Sequence, residues 1–90
     1  MIYCVCYDLN TPGKDYAPLI EGIKSYGTWW HHLDSTWLVK KEGTTAAAIR
    51  NQLMTLVDKN DEVLVFPVGE DWAGAGFKEE AYKWLHTNWN

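Results

Sequence analysis

Within Met1 to Leu9 (MIYCVCYDL) seven mostly apolar, strand-forming residues run straight into Asp8, just before the turn Asn10-Thr11-Pro12-Gly13. A strand this apolar is normally buried on both faces at the centre of a sheet. Its last residue therefore emerges at a sheet edge, where small α/β domains place ligands and metals. Two uses of the carboxylate stay open: a functional one at that edge, or acceptance of backbone N–H bonds from the 9–13 turn. Gly13-Lys14 before a helix start offers free N–H groups, a positive dipole end and one ammonium, a modest anion site. It is equally an ordinary turn with a surface lysine, and GxxxxGK[ST] is absent. Trp29, Trp30, His31 and His32 alternate between faces, so one Trp/His pair points to each side of its strand. The outward pair serves either dimer packing or base stacking, which Trp and His faces perform without regard to sequence. Adjacent histidines on a strand do not easily ligate one metal, and a general base needs a partner that the sequence does not supply. Trp72 lies in the glycine-rich stretch Gly69–Phe77, a lid over a ligand or a plain linker.

The elements that must position these residues are well punctuated. After the first strand, Asp15 is placed to cap a helix with Tyr16, Leu19, Ile20, Ile23 and Tyr26 on one face, and Gly27 is placed to end it. Thr28 to Leu33 and Thr36 to Lys41 read as a β-hairpin around Asp34-Ser35. Gly43-Thr44-Thr45 caps a second helix whose stripe is Ala46, Ile49, Leu53, Leu56 and Val57. Asp58–Asp61 is a polar turn, and Glu62 to Val68 is a fourth strand whose Pro67 implies an edge or bulge. The order β-α-β-β-α-β predicts an α+β, ferredoxin-like fold: an antiparallel sheet in order 4-1-3-2 with two helices on one face. Residues 69–90 add the glycine-rich loop and a C-terminal helix, Phe77 to Trp89, to the 1–68 core within a single domain. The open face of the sheet needs this tail or a partner chain to cover it.

Composition narrows the function classes. The chain has 90 residues, 47% of them apolar, enough for one modest core. No apolar run approaches the roughly 18 residues needed to span a membrane. The start lacks the features of a signal peptide, so a cytoplasmic location is expected. Cys4 and Cys6 share a strand face and read as reduced core thiols. With 8 basic and 12 acidic residues the net charge is −4. No basic stripe is present, which disfavours a grip on long nucleic acid. Six tryptophans (29, 30, 37, 72, 84 and 89) exceed what one small core usually holds, because each indole N–H wants a partner. Some of them are expected at an interface or against a ligand.

The pattern MIYCVCYDL, a helix ending in SYG, a strand with LDSTWLV, a second helix and DEVLVFPV resembles the small CRISPR-associated spacer-acquisition subunit. Its VapD-like and SinR-like relatives from bacteria and phages share that pattern. The resemblance covers residues 1 to about 68. It implies a homodimeric ferredoxin-like protein in which the carboxylate ending strand one is a metal ligand contributed by both protomers. That position is Asp8 here, and the implied ion is Mg²⁺, which takes one or two carboxylates together with phosphate oxygens and water. Metal-bound water would then attack a phosphodiester. The chain departs from the family in its acidic balance, in Trp29-Trp30-His31-His32 and in its Trp-Gly tail.

Three expectations follow. The first is a homo-oligomeric binding protein holding a small nucleotide-type ligand, such as a cyclic or ADP-ribose-like signal. Its ligand-binding residues are Asn10, Lys14, Trp29, Trp30, His31, His32 and Trp72, and it requires no cofactor. The second is a Mg²⁺-dependent phosphodiesterase or nuclease using Asp8 across a dimer. The third is an interaction subunit whose tryptophans serve assembly.

Overall fold

The computed structural model describes residues 1–89. Its elements are β1 (Ile2–Asp8), α1 (Ala17–Lys24), β2 (Thr28–Leu33), β3 (Thr36–Lys40), α2 (Ala46–Met54), β4 (Glu62–Pro67) and α3 (Glu79–Asn88). Local chemistry explains most boundaries. Thr11 O accepts the Lys14 N–H at 3.3 Å, with Pro12 and Gly13 between them and Gly13 at φ +80°. That is the pattern of a type II turn, which wants proline and then glycine at its centre. Asp15 does not occupy the cap position of α1, which falls to Tyr16, but its Oδ1 still accepts the Ala17 N–H at 3.0 Å. Thr45 caps α2 as expected, its side-chain oxygen accepting from Ala48 N at 3.1 Å. Gly27, at φ +104°, turns the chain from α1 into β2.

The four strands form one antiparallel sheet in the order β2-β3-β1-β4. Strand alternation divides its side chains between two cores. Tyr3, Val5, Trp37 and Val39 meet Leu19 and Ile23 of α1 and Ile49 and Leu53 of α2. Ile2, Cys4, Trp30 and Leu38 face the other way and meet Ala81 and Leu85 of α3. The C-terminal segment therefore covers the face that the first two helices leave open. Its helix begins two residues later than the periodicity predicts, since Phe77 and Lys78 belong to the approach. Phe77 sets its ring edge-on to Trp30, with centroids 5.3 Å apart at 72°.

That cover is incomplete. The α3 helix ties to β2, where the Trp30 indole N–H donates to Ala81 O at 3.1 Å. On the β4 side of the same face, Leu64 stays 61% exposed and Phe66 41% exposed. Among the described residues no helix is long and apolar enough to cross a membrane.

Both cysteines are free thiols, with Sγ atoms 3.5 Å apart on one face of β1. Burial, reinforced by the hydrogen bond and charge of Cys6, pushes the Cys4 thiol up to about 12. A thiol is reactive only as its thiolate. Native-state alkylation read by mass spectrometry should thus label Cys6, which is half-buried, and leave Cys4 unmodified until the chain unfolds. Equal labelling rates would contradict this packing.

Candidate functional site

At the far end of β1, Asp8 is exposed and lies directly opposite Glu62 in the β1–β4 register. The two carboxylates border a shallow pocket of about 430 Å³ completed by Cys6, Tyr7, Val63 and Leu64. Asp8 does not serve the turn that follows it. The Asn10 N–H goes to Asp61 Oδ1 at 2.7 Å, and the Thr11 N–H goes to the Tyr16 hydroxyl at 3.3 Å. Among the described residues no hydrogen bond engages the Asp8 carboxylate, so its acceptor capacity is left for solvent or ligand. No group of three or more His, Cys, Asp or Glu side chains is arranged to hold a metal ion among the described residues.

Asp61, which the sequence reading treats as part of a polar turn, is the buried organiser of this end. Its Oδ1 accepts from Asn10 N, from Thr11 Oγ1 at 3.2 Å and from the Tyr16 hydroxyl at 2.7 Å, while Oδ2 accepts from Asp58 N at 2.8 Å. Burial raises its pKa, but the hydrogen bond from Tyr16 and those from Asn10, Asp58 and Thr11 outweigh it, bringing the carboxyl from 3.8 to about 2. Asn10 is held in the same lattice. Its amide donates to Asn60 O at 3.0 Å and to Asp8 O at 3.3 Å, joining the end of β1 to the start of β4. Lys14 is exposed on the turn beyond it.

The four residues from Trp29 to His32 separate into two clusters. Trp30 is 4% exposed, its indole N–H is satisfied by Ala81, and His32 packs 4.9 Å from it at a 52° tilt. On the helix side, His31 stacks on Trp37 at 3.7 Å and 11°, and Trp29 lies 5.3 Å from the same ring. The Lys24 ammonium sits 5.1 Å over Trp29. Trp37 donates its indole N–H to the Tyr7 hydroxyl at 3.0 Å. Neither cluster adjoins Asn10 or Lys14, but Trp30 and Trp72 line a common apolar pocket of about 180 Å³ with Leu38, Phe77, Leu85 and Trp89, so only part of the expected ligand-binding set comes together.

Trp72 has further neighbours. It lies 5.9 Å from Trp89 at 42° and 5.3 Å from His86 at 60°. With Glu70 and Leu85 these rings line an open cleft of about 310 Å³, at the small end of the range typical of ligand sites. Two features hold the cleft. Trp89, at the C-cap of α3, donates its indole N–H to Gly69 O at 2.7 Å, and Leu85 is buried in the second core. The loop 69–77 thus folds back along α3 and is more than a spacer. Glu70, His86 and Trp89 are not among the site residues that the sequence pattern marks. The available signal was the tryptophan surplus, together with the i, i+3 spacing of His86 and Trp89, which puts them on one helical side.

No protein-family model matches this chain, and a search of curated proteins finds no match either. The fold and the site together define a small α+β protein with a four-stranded antiparallel sheet, a partly covered apolar face and an aromatic cleft beside its last helix.

Proposed function

We propose that this chain is a homo-oligomeric binding protein that holds a small ligand against the rings of Trp72, His86 and Trp89. The observation that carries this reading is the cleft itself: three non-parallel rings and a carboxylate around about 310 Å³ of open volume. The strand order, taken from the β4 edge, runs four, one, three, two and supports a ferredoxin-like fold. Self-association is supported by β4, an edge strand whose own Leu64 and Phe66 are exposed. Such an edge invites pairing with another chain unless something covers it.

Native mass spectrometry of the protein from its host reads oligomer and retained ligand together. Nucleotides form the first panel to add back, because a nucleobase stacks on tryptophan whatever its sequence context. Ligand should quench tryptophan fluorescence saturably in the native protein and not in Trp72→Ala. A monomer that carries nothing and responds to no ligand would end the proposal.

A second reading is favoured by one specific observation, the placement of Glu62 opposite Asp8. Two carboxylates on neighbouring strands suit a Mg²⁺ ion that is also held by substrate phosphates, and the family resemblance assigns that role to Asp8. In this reading Mg²⁺-dependent cleavage of RNA, DNA or a cyclic nucleotide disappears in Asp8→Ala. Absence of cleavage by the unaltered protein with Mg²⁺ or Mn²⁺ removes it.

A further inference from the structure

We infer that the group recognised in the Trp72 cleft is a compact organic cation, an alkylated ammonium, in a three-ring cage closed by Glu70. The inference rests on the cleft being a binding site and specifies the chemistry that the site reads. Four observations lead to it.

The first is ring geometry. A flat base is gripped between near-parallel planes, whereas Trp89 and His86 are inclined to Trp72 by 42° and 60°. The three rings therefore do not form a parallel slot for a flat base, and a rounded group suits them better. A cation is attracted when it lies within about 6 Å of a ring centroid. Rings whose centroids stand 5.3 and 5.9 Å from that of Trp72 can therefore share a single ion.

The second is charge. The lining residues are Glu70, Trp72, Leu85, His86 and Trp89, with no lysine or arginine among them. A phosphate placed there would meet the Glu70 carboxylate with only the His86 imidazole to donate to it, while a cation would meet a counter-ion and the negative faces of Trp72 and Trp89. The net charge of −4 acts in the same direction.

The third is the use already made of the Trp89 indole N–H. It donates to Gly69 O, so this residue has no free hydrogen-bond donor for a ligand and can contribute only its ring. The fourth is an internal parallel elsewhere in the fold, where Lys24 rests its ammonium 5.1 Å over Trp29. That ring is occupied by the protein's own cation, whereas none of the cleft rings has a lysine or arginine over it among the described residues.

The test is an NMR titration of the full ¹⁵N-labelled chain with choline, tetramethylammonium, the neutral choline isostere 3,3-dimethylbutan-1-ol, and adenosine monophosphate. Both cations should shift the Trp72 and Trp89 indole resonances saturably, and the neutral isostere should bind at least tenfold more weakly. Glu70→Gln, an exposed change that leaves the fold intact, should weaken choline at least threefold without altering the isostere. Equal binding of choline and its isostere overturns the proposal, as does choline binding that Glu70→Gln leaves unchanged. Binding of adenosine monophosphate without choline overturns it too, yet leaves the ligand-binding function standing. If no compound moves either indole signal, both the cation proposal and the cleft as a binding site fall.

Discussion

Replacement of Trp37 by alanine should cost about 3–5 kcal/mol of stability, the usual range for deleting a buried tryptophan. Trp37 is the largest fully buried side chain, 1% exposed, and it joins three things at once. Its ring fills the core between the sheet and the first two helices, its face carries His31, and its N–H is spent on the Tyr7 hydroxyl. A domain of this length has roughly 5–13 kcal/mol in total at the usual per-residue value. The substitution therefore removes a large share, and thermal unfolding should move down by roughly 15 °C or more.

Trp37→Phe separates the contributions. It keeps an aromatic ring for His31 and Trp29 but leaves the Tyr7 hydroxyl without its donor, at a cost of about 1–2 kcal/mol. Trp29→Ala provides the comparison at the rim. This residue is 38% exposed and contributes one tilted ring contact and the Lys24 cation, so its loss should cost about 1 kcal/mol. Urea unfolding of the three variants gives the ranking. A Trp29 effect as large as that of Trp37 would mean that the exposed ring is structural in an assembly.

These tryptophans also mark how far the sequence could be followed. Strand alternation, the Pro-Gly turn and the Thr45 cap act over a few residues, and each placed its element within a residue or two. The face of each residue in Trp29-Trp30-His31-His32 depends on hairpin register, which carries an irregularity between Trp30 and Leu33. A local pattern does not encode that, because a one-residue slip exchanges the two faces. Trp72 stands out in the sequence, but its partners His86 and Trp89 stand 14 and 17 residues further on. They meet it only because the chain returns along α3.

Asp8 and Asp61 show the same limit in a sharper form. Turn chemistry assigns the N–H groups after β1 to the nearest carboxylate in sequence, Asp8. The fold gives the Asn10 N–H to Asp61, which comes 51 residues later, and pairs the freed Asp8 with Glu62. The antiparallel β1–β4 pairing does this by bringing the start of one strand beside the end of the other. The strand order predicted that neighbourhood; the division of labour among its carboxylates required side-chain geometry.

Asp61 should consequently dominate the response of the fold to acid. Its carboxyl titrates at about 2 in the folded chain against an ordinary value of 3.8. A folded pKa below the unfolded one means that the unfolded chain binds the proton more readily. The stabilisation is then fully present above the unfolded value and is lost as pH falls from about 4 towards 2. Glu42 is also lowered, by its hydrogen bond to the N-terminal ammonium and by that group's charge, and adds to the same acid limb. Comparing the native chain with Asp61→Asn isolates the Asp61 share. The amide supplies one acceptor oxygen where two are used, and turns an N–H towards a donor that the carboxylate had accepted. The variant should be less stable at neutral pH, and its stability should fall less steeply between pH 4 and 2. Asp61→Ala leaves four donors without an acceptor and should lower Tm further than Asp61→Asn. Tyr16→Phe checks the pair from the other side. Burial and then the hydrogen bond to Asp61 raise the Tyr16 hydroxyl above its usual 10. Its contribution is therefore complete below pH 10 and is lost as pH rises through the folded value. Removing the hydroxyl should abolish that alkaline loss and move the acid midpoint upward, since Asp61 then lacks its leading hydrogen-bond donor. Thermal melts of the native chain and these variants from pH 2 to 11 read both limbs. Parallel acid limbs for the native chain and Asp61→Asn would show that the carboxylate does not hold this end of the sheet.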